Sequence, residues 1–163
     1  MKKKLVLIIA VAVLIVALLA AGVVVLLRNT GDTVLSMEQK TALAGDYVSL
    51  SVNIKNNHGI YYGLVNVSYN ADVIEFVSCE GGEVFNECES NDVGGTVIFI
   101  VNQSDLSNSH IDGKVATLNF KIKDSAVKGD YDISFDKETA FCNLSEPEDL
   151  IIPEFKNGKI TVK

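Results

Sequence analysis

Polar and apolar side chains alternate with a period of two over most of the chain from Thr33 onward. The segment "DYVSLSVNIK" (46–55) puts valine, leucine and isoleucine on one face and serine and asparagine on the other. The same alternation recurs in "YGLVNVSYN" (62–70), "KVATLNFKIK" (114–123), "DYDISFD" (130–136) and "GKITVK" (158–163). Such a pattern is typical of half-buried antiparallel β-strands.

Turn-forming residues separate these segments at short and fairly regular intervals. Among them are Asn57-His58-Gly59, Gly81-Gly82 and Asp112-Gly113, and glycine and asparagine supply the positive φ angles that tight turns require. About eight or nine short strands with this punctuation indicate an all-β sandwich or jelly roll.

One segment, "TVIFIVNQS" (96–104), departs from the alternation because it is apolar on both faces. Val97, Phe99 and Val101 share one face, whereas Ile98 and Ile100 share the other. A central strand that is covered on both sides would show this pattern. A strand that offers its second face to a partner would show it too, since contiguous exposed apolar surface usually marks an interaction site.

The N-terminal part of the chain has a different character. Leu5 to Leu27 is an unbroken run without a charged or polar side chain, long enough to cross a bilayer as one transmembrane helix. A cleaved signal peptide has a shorter apolar core, of about 7–15 residues, so we expect an uncleaved signal anchor, with cleavage near Ala-Ala-Gly at 20–22 as the alternative. The cluster of lysines at 2–4, against the single Arg28, places the N-terminus in the cytoplasm and the rest of the chain outside a bacterial cell.

This organisation divides the chain into four parts. We expect a basic cytoplasmic tip at 1–4, the transmembrane helix at 5–27, a short linker at 28–32 and one β-sandwich domain at 33–163. Asn29 to Asp32 span at most ~14 Å, so the domain would lie close to the bilayer.

Charge and residue types exclude several classes of function. The net charge is −7, and without Lys2, Lys3, Lys4 and Arg28 the remainder carries −11, which argues against nucleic acid or anionic lipid as a partner. No nucleophile motif, metal-ligand spacing, calcium loop or phosphate-binding glycine loop occurs in the sequence. We therefore predict no enzyme, no metal site and no cofactor.

The three cysteines, Cys79, Cys88 and Cys142, form an odd set that allows at most one disulfide within the chain. None lies at the end of the apolar run, so there is no sign of a bacterial lipoprotein anchor. Without metal-ligand spacing, we expect structural thiols.

The order of several segments resembles that of the cohesin domain family. The characteristic pieces are "ALAGDYVSLSVNIKN", "GLVNVSYNADVIEFVSCEGG", "GGTVIFIVNQS", "DGKVATLNFKIK", "FDKETAF" and "NGKITV". The resemblance runs from about Val34 to Val162. It departs from the family where Asn70 replaces a frequent aspartate, between Cys79 and Cys88, and in the loop at 143–153.

This resemblance implies a nine-stranded jelly-roll β-sandwich that binds a dockerin, a small calcium-bound module of secreted enzymes or surface proteins. The dockerin would lie on a flat sheet face made by strands at 62–70, 83–89, 95–103 and 130–137. By position, the partner-binding residues would be Leu64, Asn66, Ser68, Ile98, Ile100 and Asn102.

Two functional classes remain open at this point. The first is a membrane-anchored cohesin that tethers dockerin-bearing proteins to the cell surface. The second is a carbohydrate-binding or adhesive sandwich of related shape. The chain has no tryptophan, and sugar-binding faces usually use planar aromatic rings, so we favour the first. A pilin-like subunit is disfavoured because the chain lacks the glycine cleavage point before the apolar run.

Overall fold

A computed structural model describes residues 33–103, 110–143 and 150–163. These residues form an all-β sandwich, as predicted. In these three ranges there is no helix of the length and apolar character needed to span a bilayer. The predicted cytoplasmic tip, transmembrane helix and linker, 1–32, lie outside the described residues.

Thirteen strand segments occur in the described residues. They are β1 (Val34–Met37), β2 (Gln39–Ala42), β3 (Tyr47–Lys55), β4 (Ile60–Ser68), β5 (Ile74–Gly81), β6 (Glu87–Asp92), β7 (Thr96–Asn102), β8 (Gly113–Ile122), β9 (Gly129–Phe135), β10 (Ala140–Asn143), β11 (Leu150–Ile151), β12 (Glu154–Lys156) and β13 (Gly158–Val162). Only Glu38 separates β1 from β2, and only 136–139 separate β9 from β10. If each pair is counted as one interrupted strand, nine principal strands remain beside the short β11 and β12.

The strands form two sheets that pack face to face. The five-stranded sheet has the order β12-β1-β3-β8-β5, and the eight-stranded sheet has the order β11-β10-β4-β9-β13-β2, with β7 paired to β4 and β6 paired to β7. The interrupted strand β1–β2 contributes to both, since β1 pairs with β3 and β2 pairs with β13.

The alternation seen in the sequence places the core between the sheets. On β3, Val48, Leu50, Val52 and Ile54 are all buried, and the intervening residues are partly or fully exposed. The inward residues of β4, β7, β8 and β13 are likewise buried, so the two inner faces form one continuous hydrophobic core. Burial of these apolar side chains is the main stabilising term of such a domain.

Two details differ from the sequence-based expectation. The strand expected at 83–89 begins at Glu87, because Val84 and Phe85 enter the core and are 1% and 0% exposed. The amides of Gly82 and Val84 hydrogen-bond to the β8 carbonyls of Val115 and Lys114, so 82–84 follow β8 before β6 starts. The strand expected at 130–137 ends at Phe135 and resumes at Ala140.

The N-terminal end of the described domain lies at one end of the sandwich. Thr33 is fully buried there, and its Oγ1 donates a hydrogen bond to the carbonyl of Asn56 (2.9 Å). Asn56 is the first residue of the loop that connects β3 to β4, so Thr33 lies near the start of β4. Lys163, by contrast, bonds to Ala42 at the end of β2.

Candidate partner-binding face

Strand β7 has one buried face and one partly exposed face. Val97, Phe99 and Val101 point inward and are 0% exposed. Ile98 and Ile100 point outward and are only partly buried. Since all strands of the described residues belong to the two sheets, no strand among them covers this second face.

The register between β4 and β7 brings the six residues predicted for partner binding into one patch. Leu64 pairs with Ile100 and Asn66 with Ile98, while Ser68 pairs with Thr96 and Tyr62 with Asn102. Residues that pair directly across two antiparallel strands have Cβ atoms about 4.5–5.5 Å apart on the same side of the sheet. Leu64, Ile98 and Ile100 therefore form an apolar centre, with Asn102 and Ser68 at its two ends. Their role in binding remains a prediction.

We name this surface the candidate face and extend it to the outward side chains of the two flanking strands. On β10, Ala140 pairs with Leu64 and Cys142 with Tyr62. On β6, Glu87, Glu89 and Asn91 pair with Asn102, Ile100 and Ile98. Sequence reasoning missed these five residues, because cross-strand pairing is a tertiary property that no local pattern reveals.

The candidate face is therefore apolar in the middle and acidic along one edge. The row that crosses its centre runs from Ala140 through Leu64 and Ile100 to Glu89. Strand β6 ends the sheet on this side, and Glu87 and Glu89 are exposed. An apolar centre with a polar surround is the usual composition of a protein–protein interface.

Asn66 presents much less surface than its position predicts, since it is only 8% exposed. It lies opposite the interruption between β9 and β10, where the four residues 136–139 face the two β4 residues between Leu64 and Val67. The extra residues lie against Asn66, so its side chain forms a boundary of the apolar centre.

Two ionisable groups at one end of the candidate face stay neutral near pH 7. Burial raises the pKa of the Tyr62 hydroxyl, and the nearby Cys142 and Glu89 raise it further. Burial also raises the pKa of the Cys142 thiol. This end of the face thus offers an uncharged hydroxyl and an uncharged thiol.

A disulfide joins the two sheets next to the acidic edge. Cys79 on β5 is bonded to Cys88 on β6, with Cα atoms 6.1 Å apart, and Cys142 is a free thiol. The expectation of structural thiols is therefore wrong for Cys79 and Cys88. The sequence does not reveal the pairing because the two cysteines belong to different sheets and meet only where β5 and β6 turn the corner of the sandwich.

The described residues contain no group of three or more histidine, cysteine, aspartate or glutamate side chains placed to hold a metal ion. His58 and His110 are both exposed in loops at the Thr33 end of the sandwich. Tyr61 and Tyr62, the adjacent aromatic pair, are both partly buried at the start of β4 and do not extend into an aromatic strip.

Solved structures of similar fold are cohesins. The seventh ScaB type I cohesin from Pseudobacteroides cellulosolvens superposes with a TM-score of 0.71 at 24% identity, covering 82% of this chain and 94% of that one. The Coh-OlpC–Doc435 type I cohesin–dockerin complex from Clostridium thermocellum gives 0.70 at 23% identity, with 83% and 96% covered. A non-cellulosomal cohesin from the hyperthermophilic archaeon Archaeoglobus fulgidus gives 0.70 at 13% identity, with 82% and 92% covered.

At these identities the structural similarity establishes the fold. A comparison with curated proteins finds none that matches. The family model of the Cohesin domain matches residues 33–162, which is nearly all of the β-sandwich. Cohesins are non-catalytic protein-binding modules, in agreement with the prediction of no enzyme. The chain therefore belongs to the Cohesin domain family.

Proposed function

We propose that this chain is a receptor that binds dockerin modules through the candidate face and holds dockerin-bearing proteins at the outer surface of a cell. The observation that carries the proposal is the partly exposed Leu64–Ile98–Ile100 centre on a sheet of a cohesin domain. Several structures of similar fold are cohesin–dockerin complexes, among them the Clostridium thermocellum complex of OlpA with Doc918.

The shape and charge of the face support this proposal. A flat apolar centre with one acidic edge suits a small folded module better than a sugar chain, which would need stacking rings. Tyr47 is the one aromatic among the large apolar side chains that are strongly exposed in the described residues, and it belongs to the five-stranded sheet. A carbohydrate-binding sandwich is therefore the outcome that the experiment must exclude.

The test uses residues 33–163 as bait, since this range contains the family match at 33–162 and all the core residues of the described part of the chain. Secreted proteins of the source organism are captured in the presence of calcium and then released with a chelator. We expect chelator-released dockerin modules, because we propose that the partner depends on calcium for its fold. Ile100→Asp serves as the matched bait, and it should remain folded but capture nothing. Retention of polysaccharide, or of proteins that the chelator does not release, would contradict the proposal.

We further propose that residues 5–27 anchor the domain in the membrane, with 1–4 in the cytoplasm. The length of the apolar run supports this arrangement. The Cys79–Cys88 disulfide supports an oxidising compartment outside the cytoplasm. Mass spectrometry of the native protein, isolated from membranes, would show an N-terminus at or near Met1. A mature N-terminus near residue 22 in the soluble fraction would show a cleaved signal peptide instead.

The anchor would leave the candidate face accessible. Thr33 lies near the start of β4, and β4 runs away from that end of the sandwich. From Tyr62 to Ser68 the face extends roughly 20 Å at ~3.3 Å per residue. A dockerin would thus dock on the side of the domain, next to the membrane but not against it.

A further inference from the structure

Strand β6 forms one edge of the candidate face, yet it buries almost none of its own side chains. It pairs with β7 alone. Five of its six side chains are exposed, and Cys88 is partly buried. Its backbone pairing with β7 is therefore not accompanied by the apolar burial that holds β4 and β7 in the sheet. Segments with few buried contacts open locally at a low free-energy cost.

The chain is fixed to the rest of the fold on both sides of β6. Upstream, Val84 and Phe85 are 1% and 0% exposed in the core. Downstream, the amide of Val93 donates to the carbonyl of Thr96 (2.9 Å) and closes the hairpin into β7. Between these two points lie the residues that pair with the outward positions of β7, which are Glu87, Glu89 and Asn91.

The middle of β6 is linked to the core by the Cys79–Cys88 disulfide. Cys79 belongs to β5, where it pairs with the fully buried Leu118 of β8. Both cysteines pack against the hydrophobic core, and their Cα atoms are 6.1 Å apart. Successive side chains of a strand point to opposite faces. The bond on Cys88 therefore fixes the backbone between Glu87 and Glu89, whose side chains point to the candidate face.

We propose that β6 is part of the partner-binding surface and that the Cys79–Cys88 disulfide is its positioning element, so that the bond sets the affinity of the domain for its dockerin as well as its stability. Glu89 pairs with Ile100, next to the apolar centre. A surface that is ordered in only a fraction of the molecules binds more weakly by that fraction, and a cross-link that orders β6 beforehand avoids this loss. The inference rests on the proposed function, since it assumes that a dockerin occupies the candidate face.

The first test compares two destabilised variants of residues 33–163. Cys79→Ser/Cys88→Ser removes the cross-link. Val52→Ala truncates a side chain that is 0% exposed on β3, a strand that does not pair with β6. Both variants should have a lower Tm. In calorimetric titrations with the captured dockerin, well below either Tm, the double serine variant should lose at least roughly threefold in affinity. The Val52→Ala control should bind within about twofold of the unmodified domain, because its binding surface stays ordered.

The second test measures coupling between the disulfide and the β6 carboxylates. Strands β4, β7 and β10 carry no charged side chain, and β6 carries no lysine or arginine, so a partner that reaches β6 meets only negative charge there. In the disulfide-bonded domain, Glu87→Ala/Glu89→Ala should therefore weaken binding at least about threefold. In the double serine background the same pair should cost clearly less, because a β6 without its anchor no longer holds the carboxylates in place. A disulfide that acts on stability alone would leave this cost unchanged.

Amide exchange gives a readout that needs no partner. In the double serine variant, the amides of β6 that bond to β7 should exchange at least about tenfold faster relative to those of β13 than they do in the unmodified domain. In Val52→Ala the ratio of β6 to β13 exchange should stay close to that of the unmodified domain.

The outcomes separate the claims. Equal affinities of the double serine variant and Val52→Ala, or an unchanged ratio of β6 to β13 exchange, would overturn the positioning role of the disulfide. Unchanged or tighter binding after Glu87→Ala/Glu89→Ala in the disulfide-bonded domain would overturn the contact between β6 and the partner while leaving dockerin binding intact. If the unmodified domain binds no dockerin, the proposed function fails first and the role of β6 in binding fails with it.

Discussion

Alanine substitutions at Phe99 and Ile100 separate the two faces of strand β7. The residues are adjacent on one strand, but Phe99 is 0% exposed in the core and Ile100 is partly exposed on the candidate face. If the outer face serves binding, the two changes should have opposite consequences. Phe99→Ala should mainly reduce stability, and Ile100→Ala should mainly reduce affinity.

The magnitudes follow from burial. Removing a fully buried phenylalanine ring costs about 3–5 kcal/mol of unfolding free energy. In a domain of this size that corresponds to a fall in Tm of roughly 10–20 °C. Ile100 loses only part of its packing and some β-propensity, a cost of about 1 kcal/mol. If Ile100 is an interface hot spot, its loss should weaken binding by about 2 kcal/mol or more, which is roughly thirtyfold in Kd.

The assay pairs thermal unfolding with calorimetric titration of a dockerin on residues 33–163. Binding is measured well below the Tm of each variant, so that both are folded. Phe99→Ala should then bind within a few-fold of the unmodified domain. The reasoning is refuted if Ile100→Ala unfolds as readily as Phe99→Ala, which would mean that the outer face is covered, or if it binds normally.

Three further predictions concern stability. Gly63→Val should destabilise the domain by more than about 2 kcal/mol, seen as a large fall in Tm, because a Cβ at this position would clash with the Phe141 ring; a tolerated substitution would contradict the packing. Replacing Cys79 and Cys88 with serine should cost about 2–3 kcal/mol in denaturant unfolding, since the disulfide closes a short loop with a sequence separation of 9, and an unchanged midpoint would argue that the bond does not form. A hydrogen bond from the Ser51 amide lowers the pKa of the Glu38 carboxyl below 4.5. The ionised carboxylate therefore stabilises the fold above that pH, and this contribution is lost as the pH falls through the lowered pKa. The difference in unfolding free energy between the unmodified domain and Glu38→Gln should shrink below about pH 4.5, and a difference that grows in acid would contradict the assignment.

The fold could be predicted from the sequence because its signal is local. Alternation in segments such as 46–55 and 158–163 depends only on which side chains face the core, and the structure buries the predicted faces. The double-sided strand at 96–102 is also visible as a pattern. The sequence does not reveal whether the second face of this strand is covered or open to a partner. That depends on the exposure of Ile98 and Ile100, which is set by what packs over them in the fold.

The details of the candidate face could not be predicted from local pattern. That Leu64 pairs with Ile100 depends on the register between β4 and β7, and its prediction comes from the family resemblance. The start of the acidic β6 strand, which the family resemblance placed at 83, is wrong because Val84 and Phe85 enter the core before the strand begins at Glu87. The turn at 136–139 is hidden in the sequence because it is held to β4 by a hydrogen bond from the Asn66 amide to the Thr139 hydroxyl. These two residues have a sequence separation of 73.

The most direct test of the account is an NMR footprint of a calcium-loaded dockerin on isotopically labelled residues 33–163. The account predicts that shift changes and line broadening concentrate on β4, β6, β7 and the 136–139 turn, with Leu64, Ile98 and Ile100 among the most affected, and that a chelator abolishes them. A footprint on the five-stranded sheet, or no footprint at saturating dockerin, would contradict it.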